Sequence, residues 1–262
     1  PWNKGSNVIA NGMLINGNAR KCKWKPIKMS DTKRGPAALV LLARLDSRRL
    51  PGKGLMDLGG RTVLGRAIDR LRRCHHVSDM ILATSDRALD DPLQAFAEAE
   101  GIGCFRGDAM DVAKRCTDAC TEFNLDWFVR ICGDSPFADP AVVDQVSERF
   151  LNSGADLATN VYPRSFPIGA SAEAVSKTAM QRILSATSDL AYREHVTLYA
   201  YEHPTDFSIV SIQPEDLDYE AMSIAVDTPE DLARARRLIA LLPDPTTATL
   251  AEILRLQPQT LQ

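Results

Sequence analysis

No stretch of this 262-residue chain approaches the ~18 consecutive apolar residues of a membrane-spanning helix, and its first residues hold no sustained apolar run of the secretory-signal kind. A membrane partner is therefore not expected. Its six cysteines, Cys22, Cys74, Cys104, Cys116, Cys120 and Cys132, include no CxxC pair and have no partnering histidine cluster. That sets zinc aside and favours reduced thiols packed in or near the core, and with them a cytoplasmic protein, over a disulfide framework. Basic charge is missing where a nucleic acid would need it. Residues 1–34 hold eight Lys/Arg against one acid, Asp31, whereas the rest of the chain holds 23 basic against 33 acidic side chains. An acidic body argues against general nucleic-acid binding, which draws most of its affinity from a basic face.

Residues 1–34 also lack an amphipathic period and read as a disordered basic tail or leader, with Met13 and Met29 as candidate starts. There is no internal repeat, low-complexity segment or Gly/Ser linker. With 45% hydrophobic residues the chain can bury a sizeable core. Residues 35–250 are expected to form one folded unit, carrying a substrate-facing and dimerisation insertion at about 155–220, and 251–262 a C-terminal tail.

What is present is alternation. AALVLLA (37–43), MILATS (80–85), GCF (103–105) and DWFVRIC (126–132) read as strands. Between them, VLGRAIDRLRRC (63–74), DDPLQAFAEAEG (90–101) and AMDVAKRCTDACTEF (109–123) carry helical spacing or helix stop signals, and DPAVVDQVSERFLNSG (139–154) follows with Pro140 in its first turn and Gly154 at its end. Single helices between strands imply right-handed crossovers and a mostly parallel sheet covered on both faces. Beyond residue 155, DLATNVY and FSIVSI read as strands, SKTAMQRILSA and LAYREHVTLYAYE as helices, and 225–242 as a strand end followed by a helix.

Ligands of such sheets bind at the carboxyl ends of the strands. The loop after the first strand, LARLDSRRLPGKGL (42–55), crowds Arg44, Ser47, Arg48, Arg49 and Lys53 around a glycine, which suits a polyanion such as a triphosphate. It matches neither GxGxxG nor GxxxxGK[ST], so dinucleotide-binding and P-loop enzymes fall in rank.

The string RLDSRRLPGKGLMDLGGRTVLGRAIDRL resembles the opening of the cytidylyltransferases that act on 3-deoxy-manno-octulosonate and acylneuraminate, and above all the branch named for spore coat polysaccharide biosynthesis protein F, with its ARxxSxRLPGK loop. Ala43, Arg44, Ser47, Arg49, Leu50, Pro51, Gly52 and Lys53 fall in step with it. ATSD (83–86) followed by Asp90 and Asp91, FRGDAMDV (105–112), VRICGDSPFADP (129–140), REHVT (193–197) and VDTPED (226–231) continue the resemblance in order over about residues 37–240. Departures from the branch are Leu42, Arg115, Cys116 and the run Pro167, Ile168, Gly169 in place of a PDG-like sugar-side motif.

The resemblance implies an α/β fold of the Rossmann-like nucleotidyltransferase type, with a mostly parallel, mixed central sheet flanked by helices. It also implies a Mg²⁺-dependent transfer of CMP from CTP to a sugar acid or acylated sugar, with pyrophosphate released, and a homodimer. Arg44 and Lys53 would hold the triphosphate and offset charge at the α-phosphate, the first as a planar fork and the second as a point charge, with Arg49 assisting. Asp134 and Asp227 would hold the metal, although a bland reading of Asp227 is an acid near a helix N-terminus capped by Thr228. Ala83, Thr84, Ser85, Asp86, Arg106 and Gly107 would recognise the base. Asn160, Glu173, Arg193, Glu194 and His195 are candidates for the acceptor, Arg193 for its carboxylate. Two rival readings are a nucleotide-sugar-dependent glycosyltransferase on the same fold and a non-catalytic nucleotide or sugar binder. A DxD motif would favour the first, and the joint presence of Arg44, Lys53, Asp134 and Asp227 argues against the second.

Overall fold

A computed structural model of the chain describes residues 34–214 and 222–260. The expected N-terminal tail thus lies almost wholly outside the described residues. Its last residue, Arg34, belongs to the fold: its guanidinium donates to the Ala155 carbonyl at 2.8 Å and lies 4.0 Å over the Phe150 ring.

Among the described residues, seven strands form one sheet in the order β3-β2-β1-β4-β6-β5-β7. The first, β1 (Ala37–Leu42), is apolar throughout and buried nearly to its end, because parallel neighbours pair on both of its edges and helices cover both of its faces. Those neighbours are β2 (Met80–Ser85) and β4 (Trp127–Cys132), and β3 (Gly103–Gly107) adds to β2. The chain order reverses between β1 and β4, so the loops leaving their carboxyl ends face each other across a topological switch point.

The helices start where the sequence supplies caps. Thr62 accepts from Gly65 N ahead of α1 (Val63–Leu71), Asp111 from Lys114 N ahead of α3 (Val112–Glu122) and Asp139 from Ala141 N ahead of α4 (Pro140–Ser153). The helix α2 (Asp91–Glu100) has Pro92 in its first turn and ends on Gly101 at φ 70°. Leu39 and Leu41 pack against α1, α2 and α4 on one face of the sheet; Ala38 and Val40 pack toward α3 on the other.

The second half extends the same sheet. A short β5 (Leu157–Thr159) and a strand absent from the sequence reading, β6 (Glu173–Ser176), pair antiparallel, and β6 runs antiparallel to β4. Four residues, EAVS, are too few to show a period. After α5 (Lys177–Ala186), the single helix expected over 190–202 is two, α6 (Leu190–Glu194) and α7 (Leu198–Glu202). They part at a fully buried Val196 whose φ is 31°, a value helices do not use. The strand β7 (Ile209–Ser211) pairs parallel to β5. The expected strand end at 225 is an extended segment with one bridge, Ser223 to Ile168, leading into α8 (Pro229–Leu241).

The boundary placed at residue 250 needs correcting. Residues 250–256 form α9 (Leu250–Leu256), and Leu250, Ile253 and Leu254 are buried with α8, Phe137 and Leu58 in a third apolar cluster. Each such side chain contributes about 1.5–3 kcal/mol on burial, so this segment is part of the fold and not a tail.

Candidate active site

The two loops of the switch point meet at close range. Gly133 N donates to Leu42 O at 2.8 Å, and a Cβ on Gly133 would lie 2.8 Å from the Ala43 Cβ and 2.9 Å from Leu42 O. Only glycine lets the β1 and β4 ends approach this closely. The chain turns at Gly52, φ 74°, into a short 3-10 segment that begins with Lys53.

Lys53 reaches back across the gap. Its Nζ lies 2.7 Å from Asp134 Oδ2 and 3.1 Å from Asp227 Oδ1, so one cation joins two carboxylates from separate loops. Arg49 pairs with the other oxygen of Asp227. The backbone holds the two aspartates together, since Val226 N donates to Asp134 O at 2.8 Å.

Thr228 does cap α8, and Asp227 stands one residue ahead of it, but its carboxylate pairs with Lys53 and Arg49. Thr228 and Asp231 form the capping box of α8, with Asp231 Oδ2 accepting from the N–H groups of Asp227 and Thr228. The capping box uses only the Asp227 N–H and leaves its carboxylate to the cations. Both aspartates meet one positive centre, and a pair of hard oxygen donors beside phosphates is the set magnesium prefers, so the residues present fit that ion.

Arg44 stands at the other side of the loop. It donates to Ala109 O and lies 3.5 Å from Asp46 and 4.0 Å from Glu194, which brings α6 near the phosphate loop. Ser47 serves the turn by accepting from Leu50 N at 3.4 Å.

The loop is clasped to the end of β2. Fully buried Asp90 accepts from Leu45 N at 2.7 Å and from the Ser85 hydroxyl, while Arg87 pairs with Asp46 at 2.7 Å. The hydrogen bond from Arg87 holds the Asp46 carboxyl below its usual range. Asp90, Asp46 and Arg87 carried no role in the sequence reading; an acid at the first turn after a buried strand was the available signal.

The residues expected at the base do gather on one edge, yet several are framework. The side chains of Ala83, Thr84 and Ser85 are fully buried. Arg106 is engaged with Ser85 O at 3.0 Å, Arg87 O at 2.7 Å and Asp91 at 2.6 Å. Asp86 is exposed, and its N–H donates to Gly107 O at 2.9 Å.

The acceptor candidates divide in the same way. Asn160 is fully buried and clips a turn, donating to Ala170 O at 2.8 Å and accepting from Ala172 N at 2.9 Å. Arg193 is occupied at every nitrogen: with Thr187 O at 2.9 Å, Leu184 O at 2.8 Å and Asp111 at 3.0 Å, it ties α6 to α3 and α5. Both serve the framework, Asn160 in a turn and Arg193 in a tie between helices. Glu173 is 1% exposed and accepts from Thr197 Oγ1 at 2.6 Å and from the Tyr201 hydroxyl. Burial pulls against the charge of its neighbour Arg130, and Glu173 outweighs that pull, so the guanidinium is held protonated. Glu194 and His195 are exposed at the end of α6.

Cations clustered with two carboxylates at the switch point of such a sheet mark a nucleotidyltransferase-type α/β enzyme. The sequence profile of the cytidylyltransferase family matches residues 38–258, and the chain belongs to that family. It is similar to spore coat polysaccharide biosynthesis protein SpsF of Bacillus subtilis, 29% identical over 229 residues that cover 84% of this chain and 94% of that protein. It is also similar to a 3-deoxy-manno-octulosonate cytidylyltransferase of Anaeromyxobacter, 26% identical over 79% of this chain and 98% of the other. Among solved structures, a cytidylyltransferase from Leptospira borgpetersenii superposes with a TM-score of 0.81 at 27% identity, covering 86% of this chain and 96% of that one.

Proposed function

We propose that the protein is a Mg²⁺-dependent CTP:sugar cytidylyltransferase that joins CMP to a sugar acid or acylated sugar for surface polysaccharide synthesis. One observation carries the reading: Lys53, Asp134 and Asp227 converge from three loops on one point beside Arg49. The acceptor hydroxyl oxygen attacks the α-phosphorus of CTP, the new P–O bond forms in line as the bond to the β-phosphate oxygen breaks, pyrophosphate leaves with the electron pair, and the hydroxyl proton is lost.

Arg44 and Lys53 would hold the triphosphate, Lys53 as a point charge that needs no reorganisation because Asp134 and Asp227 already fix it. Arg49 stands ready at the same place. When bound, Mg²⁺ would supply charge neutralisation at the phosphates, held by Asp134 and Asp227. These two carboxylates come from different loops and not from a DxD pair, which favours nucleotidyl transfer over glycosyl transfer. The proposal includes a cytoplasmic homodimer built on residues after 155, where Leu190 is exposed. No helix among the described residues is long and apolar enough to cross a membrane.

The test is pyrophosphate release with Mg²⁺ and each of CTP, UTP, ATP and GTP against a panel of sugar acids and sugar phosphates. CTP-selective release is the expected result. Release selective for another nucleotide, or none from any pair, contradicts the proposal.

A further inference from the structure

Arg130 sits near the carboxyl end of β4, and neither of its terminal guanidinium nitrogens has a hydrogen-bond partner among the described residues. Its Nε lies 2.7 Å from Glu173 Oε2, yet neither of those atoms completes a hydrogen bond. The Glu173 carboxylate is held from its other oxygen by Thr197 and Tyr201. Glu173 thus fixes the cation by charge while leaving the outer fork unused, and the Arg130 side chain keeps 18% of its surface open.

Its surroundings place that fork beside the site already described. Across β1 and β4, Arg130 lies opposite Val40, and Cys132, two residues on, lies opposite Leu42 at the edge where the loops leave. Asp134 follows two residues after Cys132, so Arg130 stands four residues before the aspartate that meets Lys53. Beyond Arg130, Tyr201 stacks on the partly exposed Tyr162 ring at 4.7 Å, and Arg44 reaches toward Glu194 of α6. The acceptor has to deliver its oxygen next to Lys53, and the donor pair of Arg130, near the carboxyl end of the strand that leads to Asp134, is a cation with no partner at its terminal nitrogens among the described residues.

We infer that Arg130, oriented by Glu173, binds a carboxylate of the acceptor through its outer fork and is the residue that tells a sugar acid from its uncharged counterpart. A planar guanidinium with two parallel N–H groups matches a carboxylate bidentately. The inference rests on the cytidylyltransferase reading and takes over the part first expected of Arg193.

The probes are glucuronate, galacturonate, N-acetylneuraminate and 3-deoxy-manno-octulosonate, each titrated calorimetrically against its uncharged methyl ester, with and without CTP. At least one acid should bind wild-type protein tenfold or more tightly than its ester. Replacing Arg130 alone leaves Glu173 buried and unpaired, so the main variant is Arg130→Met combined with Glu173→Gln, which removes both charges. It should lose the acid-over-ester preference; Arg130→Lys, which keeps charge but no fork, should lose most of the preference.

No preference for any acid in the wild type overturns the inference, as does a preference that survives in the double variant or a preference for sugar phosphates only. CTP binding in the same titrations reports on the cytidylyltransferase reading separately, because the acid-over-ester comparison without nucleotide decides Arg130 either way.

Discussion

Arg70 on α1 and Arg130 on β4 both stand beside a carboxylate inside the protein, Asp139 at 3.8 Å and Glu173 at 2.7 Å. Arg70 is 1% exposed, and its Nε, Nη1 and Nη2 donate to Ala138 O, Pro245 O and Ala248 O at 2.9, 2.7 and 2.8 Å. Asp139 in turn caps α4 and accepts from Leu250 N at 2.6 Å, so the pair pins α9 to the sheet. Arg130 has the same ion-pair chemistry without the completed donors. A buried cation whose hydrogen bonds are all made within the chain is structural; one held by charge alone with its fork unmade is available for a ligand.

Substitution separates the two roles. Arg70→Met should cost about 3–5 kcal/mol, because it strands Asp139 and three carbonyls together. Thermal melting should fall steeply in that variant while any acid-over-ester preference persists in the folded fraction. A melting temperature equal to that of wild type would break the comparison.

The approach of the two loops gives a smaller effect of opposite character. Gly133→Ala forces a Cβ against Ala43 and Leu42 O, and relief of such overpacking typically costs about 1–3 kcal/mol. Since the strain falls between the loops carrying Lys53 and Asp134, turnover should drop more than stability does. Kinetics and melting run on the same preparation will show which suffers.

The least disruptive probe is chemical. Burial pushes the Cys116 thiol up to about 12 and raises those of Cys74, Cys120 and Cys132 as well, while Cys104 and Cys132 are only partly buried; the most enclosed are Cys116, Cys74 and Cys120. Iodoacetamide at pH 8 should spare the first three in native protein, and mass spectrometry of the labelled peptides checks it. Labelling of Cys116 would show that the α3 face opens.

How much of this was legible follows from where each signal lives. The apolar strand runs and the Arg44 to Lys53 loop are local, so composition and spacing displayed them. Asp134 could be placed at a strand end, but its meeting with Asp227 through Lys53 is a contact across the fold that no spacing encodes. β6 was too short to show a period. The break at Val196 falls at a fully buried residue, and REH gives no sign that Asp111, Thr187 and Leu184 would each engage one nitrogen of Arg193. Arg130 was visible as the charge in WFVRIC and as part of the VRICGDSPFADP motif, yet neither showed that Glu173 would hold it with its fork unmade.

The most direct test of the account is pyrophosphate release from CTP by Asp134→Asn, measured alongside its thermal melting. Loss of a preorganised charge partner predicts a fall of about 10²–10³ in rate with the melting temperature near that of wild type. A wild-type rate in a folded Asp134→Asn protein would contradict the assignment of the Lys53, Asp134 and Asp227 cluster as the reaction centre.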